Sequence, residues 1–149
     1  SPLAKQPGLY IYIYSPIQMT ADYIERLEQY PRELEFISAV PADWAESHLI
    51  AGEVGQFAVF ARKDRASEDW YLGGVNDATA RDVPLSLDFL TAGQSYQATI
   101  YRDAPGSTYA DESRHRDVIE TRVVAKGDRL DLWMAPGGGF AVRLASAGR

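Results

Sequence analysis

The sequence predicts a mainly β protein, an antiparallel β-sandwich of about eight strands preceded by a short helical lead-in. Three observations carry this expectation. From about Trp44 onward the chain is a succession of short apolar runs separated by turn residues. One of these runs alternates strictly, with Val83, Leu85, Leu87 and Phe89 set against Pro84, Ser86 and Asp88, as a strand with one buried and one wet face requires. Ahead of Trp44 the spacing changes, and Met19, Tyr23 and Leu27 fall along one helical stripe.

Taken in order, the run Leu9-Tyr10-Ile11-Tyr12-Ile13-Tyr14 has no polar face and must be buried against something. Alternating Ile and Tyr suit a strand, while Pro7 could equally open a helix at its first position, so the residues leave both states open. Ser15-Pro16 interrupts any regular element, Gln18 to Gln29 reads as helix, and a further helical turn or two follows Pro31, with Leu34, Phe36 and Ile37 as its apolar contacts before Pro41. A loose strand is expected around His48 to Val54. Phe57 to Ala61 and Trp70 to Val75 are apolar on both faces and read as central strands. Val83 to Phe89 is an edge strand because of Pro84. Tyr96, Ala98 and Ile100 continue the pattern, as do Ile119, Thr121 and Val123, then Leu130, Leu132 and Met134, then Phe140, Val142 and Leu144. The connections Lys126-Gly127-Asp128 and Pro136-Gly137-Gly138-Gly139 suggest that the last strands pair as hairpins.

Composition narrows the function. The chain has 149 residues, 46% of them hydrophobic, enough for one sizeable core and a small appendage. Its net charge of −6 comes from acids spread along the chain, which excludes a phosphate-tracking surface and so nucleic acid as a partner. With no cysteine there are no disulfides and no thiolate zinc site. No apolar run reaches the ~20 residues of a membrane span. Ser1 to Gly8 lacks the charged start and cleavage site of a signal peptide, so any export signal is expected to have been lost or to lie further upstream.

Several stretches, in order along the chain, resemble the C-terminal end of glycoside hydrolase family 97. They are Tyr14-Ser15-Pro16-Ile17-Gln18-Met19 with Ala21-Asp22, Phe36-Ile37 with Val40-Pro41-Ala42-Asp43-Trp44, and Gly52-Glu53-Val54-Gly55 leading into Ala61-Arg62. Asp69-Trp70-Tyr71-Leu72-Gly73, Leu85 to Leu90, Tyr96 to Tyr101 and Ala135 to Phe140 continue the match. In that family of α-glucosidases and α-galactosidases a (β/α)₈ barrel carries the active site, an N-terminal β-domain contributes to it, and a β-sandwich closes the chain. The resemblance implies that residues 1–42 are the end of a catalytic barrel and a linker, with Leu3 to about Asp22 as the last barrel helix, and that residues 43–149 are the sandwich. Pro7-Gly8 departs from this pattern, standing where helix-favouring residues are expected. The resemblance also implies a periplasmic or secreted parent that uses calcium, with its catalytic and calcium-binding carboxylates upstream of these residues.

Within the chain no catalytic or metal residue is assigned. Glycoside hydrolysis needs two carboxyl groups facing each other across a sugar, and Glu46, Glu53, Asp103, Asp111 and Glu112 are each read as solvated carboxylates at strand edges or in loops. His48 and His115 are too far apart for a short zinc motif. Asn76-Asp77 with Asp82 could offer oxygens to calcium, but a β-turn explains them as well. Gly137-Gly138-Gly139 lacks the Lys-Ser/Thr and helix of a phosphate loop and reads as a loose connection. Trp70 is expected in the core. Trp44 and Trp133 are the candidates for contact with carbohydrate or with the barrel, since sugar rings stack on exposed aromatic faces. The expected role is therefore a non-catalytic accessory domain that packs against the catalytic barrel of its parent and also against a second copy. The rival readings are a carbohydrate-binding module that delivers oligosaccharide and a free-standing glycosidase.

Overall fold

A computed structural model describes residues 2–20 and 23–147, apart from the Arg26 side chain. Three helices come first: α1 (Lys5–Tyr12), α2 (Ile24–Leu27) and α3 (Pro31–Ala39). Eight strands follow among the described residues: β1 (Trp44–Glu53), β2 (Phe57–Asp64), β3 (Trp70–Asn76), β4 (Arg81–Ser86), β5 (Ser95–Asp103), β6 (Asp117–Ala125), β7 (Arg129–Met134) and β8 (Gly139–Ser146). All the pairings are antiparallel, and they build a six-stranded sheet in the order β1-β2-β3-β8-β5-β6 and a two-stranded sheet of β4 and β7.

The two sheets face each other across the main core. Val59 and Ala61 from β2, Trp70 and Leu72 from β3, Tyr96, Ala98 and Ile100 from β5, and Phe140, Val142 and Leu144 from β8 meet Val83, Leu85, Leu130, Leu132 and Met134 from the small sheet. Period-two alternation supplies this stripe from each of these six strands. In β4 the buried Val83 and Leu85 alternate with exposed Asp82, Pro84 and Ser86, so the sandwich expected from sequence is the one observed. Pro84 lies opposite Asp131 in a strand with a single partner, where its missing N–H costs nothing.

The hairpins expected from the last strands do not form. β6 pairs with β5, β7 with β4, and β8 lies between β3 and β5. The turns are where the sequence puts them, with Gly127 at φ 93° and Gly137 at φ 69°, but each carries the chain from one sheet to the other. Leu130, Leu132 and Met134 are each fully buried, and that stripe is covered only if β7 lies opposite the large sheet instead of beside its neighbours.

The helical segments also differ from expectation. The Leu9–Tyr14 run resolves as helix for α1 and ends at Tyr12, well short of a helix to Asp22, and Ala21 and Asp22 themselves lie outside the described residues. The helix expected over Gln18 to Gln29 contracts to the single turn of α2, and Met19 and Tyr23 are each 81% exposed. A helix this short has no strength of its own without a packed face. The turns after Pro31 are α3, with Pro31 at its first position.

Pro7 and Gly8 sit inside α1, against helix propensity, because α1 lies almost on the backbone of the sheet. A Cβ on Gly8 would come 2.5 Å from the Phe140 carbonyl oxygen, and one on Gly73 would come 2.5 Å from the Gly8 carbonyl oxygen and 2.8 Å from Ile11 Cβ. This approach seals the outer face of β3 and β8. Replacing Gly73 with Ala is expected to destabilise the fold by about 1–3 kcal/mol through overpacking of a rigid contact, measured as a lower urea midpoint at unchanged slope; a neutral result would place α1 further from the sheet than described.

Candidate docking surface

The outer face of the large sheet is the place where this chain meets what the sandwich core does not explain. Ile11, Phe36, Trp44, Tyr71, Tyr101 and Ala141 form a second buried cluster under α1 and α3. Phe36 packs on Tyr101 with ring centres 4.8 Å apart and on Tyr71 at 6.2 Å, and the Tyr71 hydroxyl donates to the Ala39 carbonyl at 3.2 Å, closing the last turn of α3. Offset and edge contacts of this kind suit the ring quadrupole.

Arg62 fastens α1 in place. Its Nε donates to the Ile11 carbonyl at 2.6 Å, Nη2 to the Tyr12 carbonyl at 3.2 Å, and Nη1 to the Ser47 hydroxyl at 2.7 Å. A cation here serves the carbonyls that a helix C-terminus leaves unpaired and complements the negative end of its dipole. The guanidinium also lies 5.2 Å from the Phe60 ring centre and 5.5 Å from that of Tyr14. Burial pulls its pKa below the ordinary arginine value. Nothing in the sequence reading singled Arg62 out for a role. The available signal is that Arg62 directly continues the apolar run Phe57 to Ala61 and is the first of four consecutive charged residues, Arg62-Lys63-Asp64-Arg65.

A second polar contact ties α3 to the start of β6. Glu33 is only 7% exposed, and its carboxyl approaches that of Asp117. Burial, and then the Glu33 neighbour, push Asp117 up to about 7, since two carboxylates at close quarters cannot both ionise readily. Tyr30 and His115 stack alongside, with ring centres 6.4 Å apart.

α1 and α3 leave several large apolar side chains uncovered. Between α1, the segment through Met19, the end of α2 and α3 runs a groove of about 580 Å³ with a mixed wall, apolar at Leu9, Ile13, Leu34 and Ile37 and polar at Gln18, Glu33 and Arg114 among others. Beside it Tyr14 is 61%, Ile17 73% and Ile24 71% exposed. So the Leu9–Tyr14 run buries Ile11 within the chain and leaves Ile13 52% exposed and Tyr14 open on the side away from Arg62.

The residues singled out from sequence fall in different places. Trp44 is 5% exposed, edge-on to Tyr71 at 5.6 Å. It therefore has no open face for a sugar, and its indole N–H has no hydrogen-bond partner among the described residues. The expectation of sugar stacking there gives way to a core position under the lead-in. Trp133 is half-buried on the outer face of β7, opposite Asp82. The two tryptophans lie in different layers and form no common site. Trp70 is core, packed on Phe89 with ring centres 4.8 Å apart.

Among the acids, Glu46 is paired with His48 at 3.0 Å, Asp111 caps Ser113, and Glu53 and Glu112 are exposed. Asp103 is the correction. It is fully buried, its Oδ2 accepts the Ala135 N–H at 2.9 Å and the Gly139 N–H at 2.8 Å, and burial raises its pKa against those two bonds. The glycine-rich connection is consequently a pinned crossover and not a loose one. Asn76 Oδ1 accepts from Arg81 at 2.6 Å, and Asp77 Oδ1 accepts from Arg81 and from the Thr79 N–H, each at 2.8 Å. These are the bonds of a braced turn; they engage Asn76 and Asp77, two of the three residues considered for calcium, while Asp82 is exposed on β4.

Comparison with known proteins fits this anatomy. The family model described as glycosyl-hydrolase 97 C-terminal, oligomerisation, matches residues 43–145. A retaining α-galactosidase from Bacteroides thetaiotaomicron is 33% identical over 140 residues, which is 94% of this chain and 20% of that protein. A probable retaining α-galactosidase from Streptomyces bingchenggensis is 31% identical over 140 residues, 93% of this chain and again 20% of the other. A glycoside hydrolase family 97 enzyme from a Pseudoalteromonas species, solved with acarbose and with panose, superposes with a TM-score of 0.96 at 41% identity, over 99% of this chain and 23% of that one. The chain spans about a fifth of the length of the curated relatives it matches.

Two outcomes test the surface described above. Truncating Arg62 to Ala is expected to cost about 2–3 kcal/mol, because buried carbonyls lose a charged donor, and to release α1 before the sandwich melts; hydrogen exchange over residues 5–12 reads the release. For the Glu33–Asp117 pair, Asp117 has a folded pKa near 7 and an ordinary unfolded one near ~3.9. The folded state therefore binds more protons between these values, and this contribution to stability is present below about pH 4 and lost as pH rises through 7. Asp117→Asn is expected to flatten the fall of melting temperature across that window. A parallel pH profile for the two proteins would remove the raised Asp117 value.

Proposed function

The chain belongs to the C-terminal domain family of glycoside hydrolase family 97, and from that premise we propose that it serves a parent α-glycosidase as a scaffold, seating the catalytic barrel and joining copies of the enzyme. The observation that carries this reading is the two-sided lead-in. Its inner side is locked to the sheet by Ile11, Phe36 and Arg62, while its outer side presents Ile13, Tyr14, Ile17 and Ile24 to solvent around the groove. Large apolar side chains exposed together along one short segment, where a surface ordinarily scatters them singly, point to a contact with another body. The proposed occupant is the catalytic barrel of the parent chain, of which residues 1–42 form the last helix and linker. The chain itself is the non-catalytic part.

The parent's substrate is proposed as an α-linked galactoside or glucoside, supported by the α-galactosidases and the acarbose and panose complexes among the relatives. A periplasmic or secreted location and a calcium ion in the parent complete the proposal. The calcium is assigned upstream of this chain, because Asn76 and Asp77 are committed to Arg81.

In solution the 149-residue chain is expected to bind an apolar dye and to self-associate, and Ile17→Ser with Met19→Ser to lower dye binding without moving the melting temperature. A dye-silent chain would sink the barrel contact. The outward Trp133 favours a second reading, an oligosaccharide contact on the small sheet; calorimetric titration with maltooligosaccharides and galactosides tests it, and no heat at millimolar sugar removes it.

A further inference from the structure

The large sheet has two open edges, and they are unlike. β1 carries register shifts between Trp44 and Glu46 and between Leu49 and Ala51, the bulges by which natural edges discourage further pairing. β6 carries none. It runs in continuous register along β5 from Asp117 opposite Asp103 to Ala125 opposite Ser95. Thr121, Arg122 and Val123 are exposed, and Val123 is 75% accessible.

The residues along β6 are complementary to their own reversal. Placed antiparallel to a second copy with Thr121 opposite Thr121, the strand sets Glu120 opposite Arg122, Ile119 opposite Val123 and Val118 opposite Val124, each pair occurring twice about a two-fold axis. Faces agree as well. Val124 packs into the sandwich core with Glu120 and Arg122 on the same side of the strand, while Ile119 packs under the helical lead-in with Thr121 and Val123 on its side. Threonine pairs, opposite charges and β-branched pairs are the combinations that stabilise facing strands. A single charge on an edge strand repels pairing; two opposite charges flanking a central residue repel most partners but fit a copy of the same strand. Glu120 is already engaged by Arg102 at 3.0 Å on one side, and Arg122 has no side-chain partner among the described residues.

We propose that β6 is the interface through which two copies of this chain associate, joining their six-stranded sheets edge to edge into one continuous antiparallel sheet about a two-fold axis at Thr121. This rests on the reading of the chain as a domain that joins copies, and it names the surface. Such an interface is isologous and closes at two copies.

The chain contains no cysteine, so a single engineered one reports its own neighbour. In an antiparallel pair directly opposed Cα atoms lie about 4.5–5.5 Å apart, inside the range a disulfide spans. Thr121→Cys is expected to yield a disulfide-linked dimer under mild oxidation. Val123→Cys, facing Ile119 of the second copy, and Leu49→Cys, on the bulged edge, should link far more slowly. Arg122→Glu, which sets like charges across the axis, should raise the dimer dissociation constant in sedimentation by about tenfold at an unchanged melting temperature. A chain that sediments as a dimer while Thr121→Cys links no faster than Leu49→Cys overturns the β6 interface and leaves the joining role standing. A chain that stays monomeric throughout overturns both.

Discussion

The rest of the structure depends on β3 and β8 being buried on both faces. These adjacent strands carry apolar residues on both sides, and an antiparallel sheet with no wet face must be covered twice. The small sheet of β4 and β7 supplies one cover. The other comes from the lead-in, and it is possible because Gly8 and Gly73 let a helix approach to backbone distance. Helix propensity is sacrificed at Pro7-Gly8 for that contact. The trade is favourable because a packed face, not intrinsic propensity, holds most protein helices together.

This constraint explains which parts of the fold were legible in the sequence. Strand existence was legible wherever one face is wet: Val83 to Leu85 and Leu130 to Met134 show their alternation because water selects the other side. Central strands were legible by the loss of alternation in Phe57 to Ala61 and Trp70 to Val75. Pairing was not legible. A turn such as Lys126-Gly127-Asp128 fixes a reversal of the chain, but whether the next strand continues in the same sheet or crosses to the facing one is decided by which stripe still lacks a cover. Local sequence does not encode that sum.

Trp44 and Asp103 are both less accessible than the sequence suggests, and for a related reason. Trp44 is expected to offer an aromatic face to sugar or barrel and Asp103 to be a solvated carboxylate, and each is buried because another segment of the chain lies over it. For Trp44 the cover is α3 and Tyr71; for Asp103 it is the crossover whose N–H groups the carboxylate accepts. Arg62 is the converse case, a charge drawn into an apolar layer because the end of α1 needs donors. The candidate site was thus legible as a demand, an apolar run requiring a partner, and not as a set of residues, since the groups that answer the demand come from strands distant in sequence.

The same reasoning separates two kinds of surface on this molecule. The lead-in's outer face is broad and sets several large apolar side chains beside polar groups, a shape that takes a large convex neighbour and asks little of its sequence. The β6 edge is narrow and specified residue by residue, because main-chain pairing accepts any strand and the side chains alone must reject the wrong ones. A domain that has to hold one neighbour permanently and choose another correctly has use for both kinds. Placing the first over the sheet's face and the second along its margin would let a single sheet serve the two proposed contacts without either competing for the other's residues, apart from Ile119, which packs under the lead-in from the strand that forms the edge. Through that residue, and through the Glu33–Asp117 contact at the start of β6, the seating of the lead-in bears directly on the geometry of the edge.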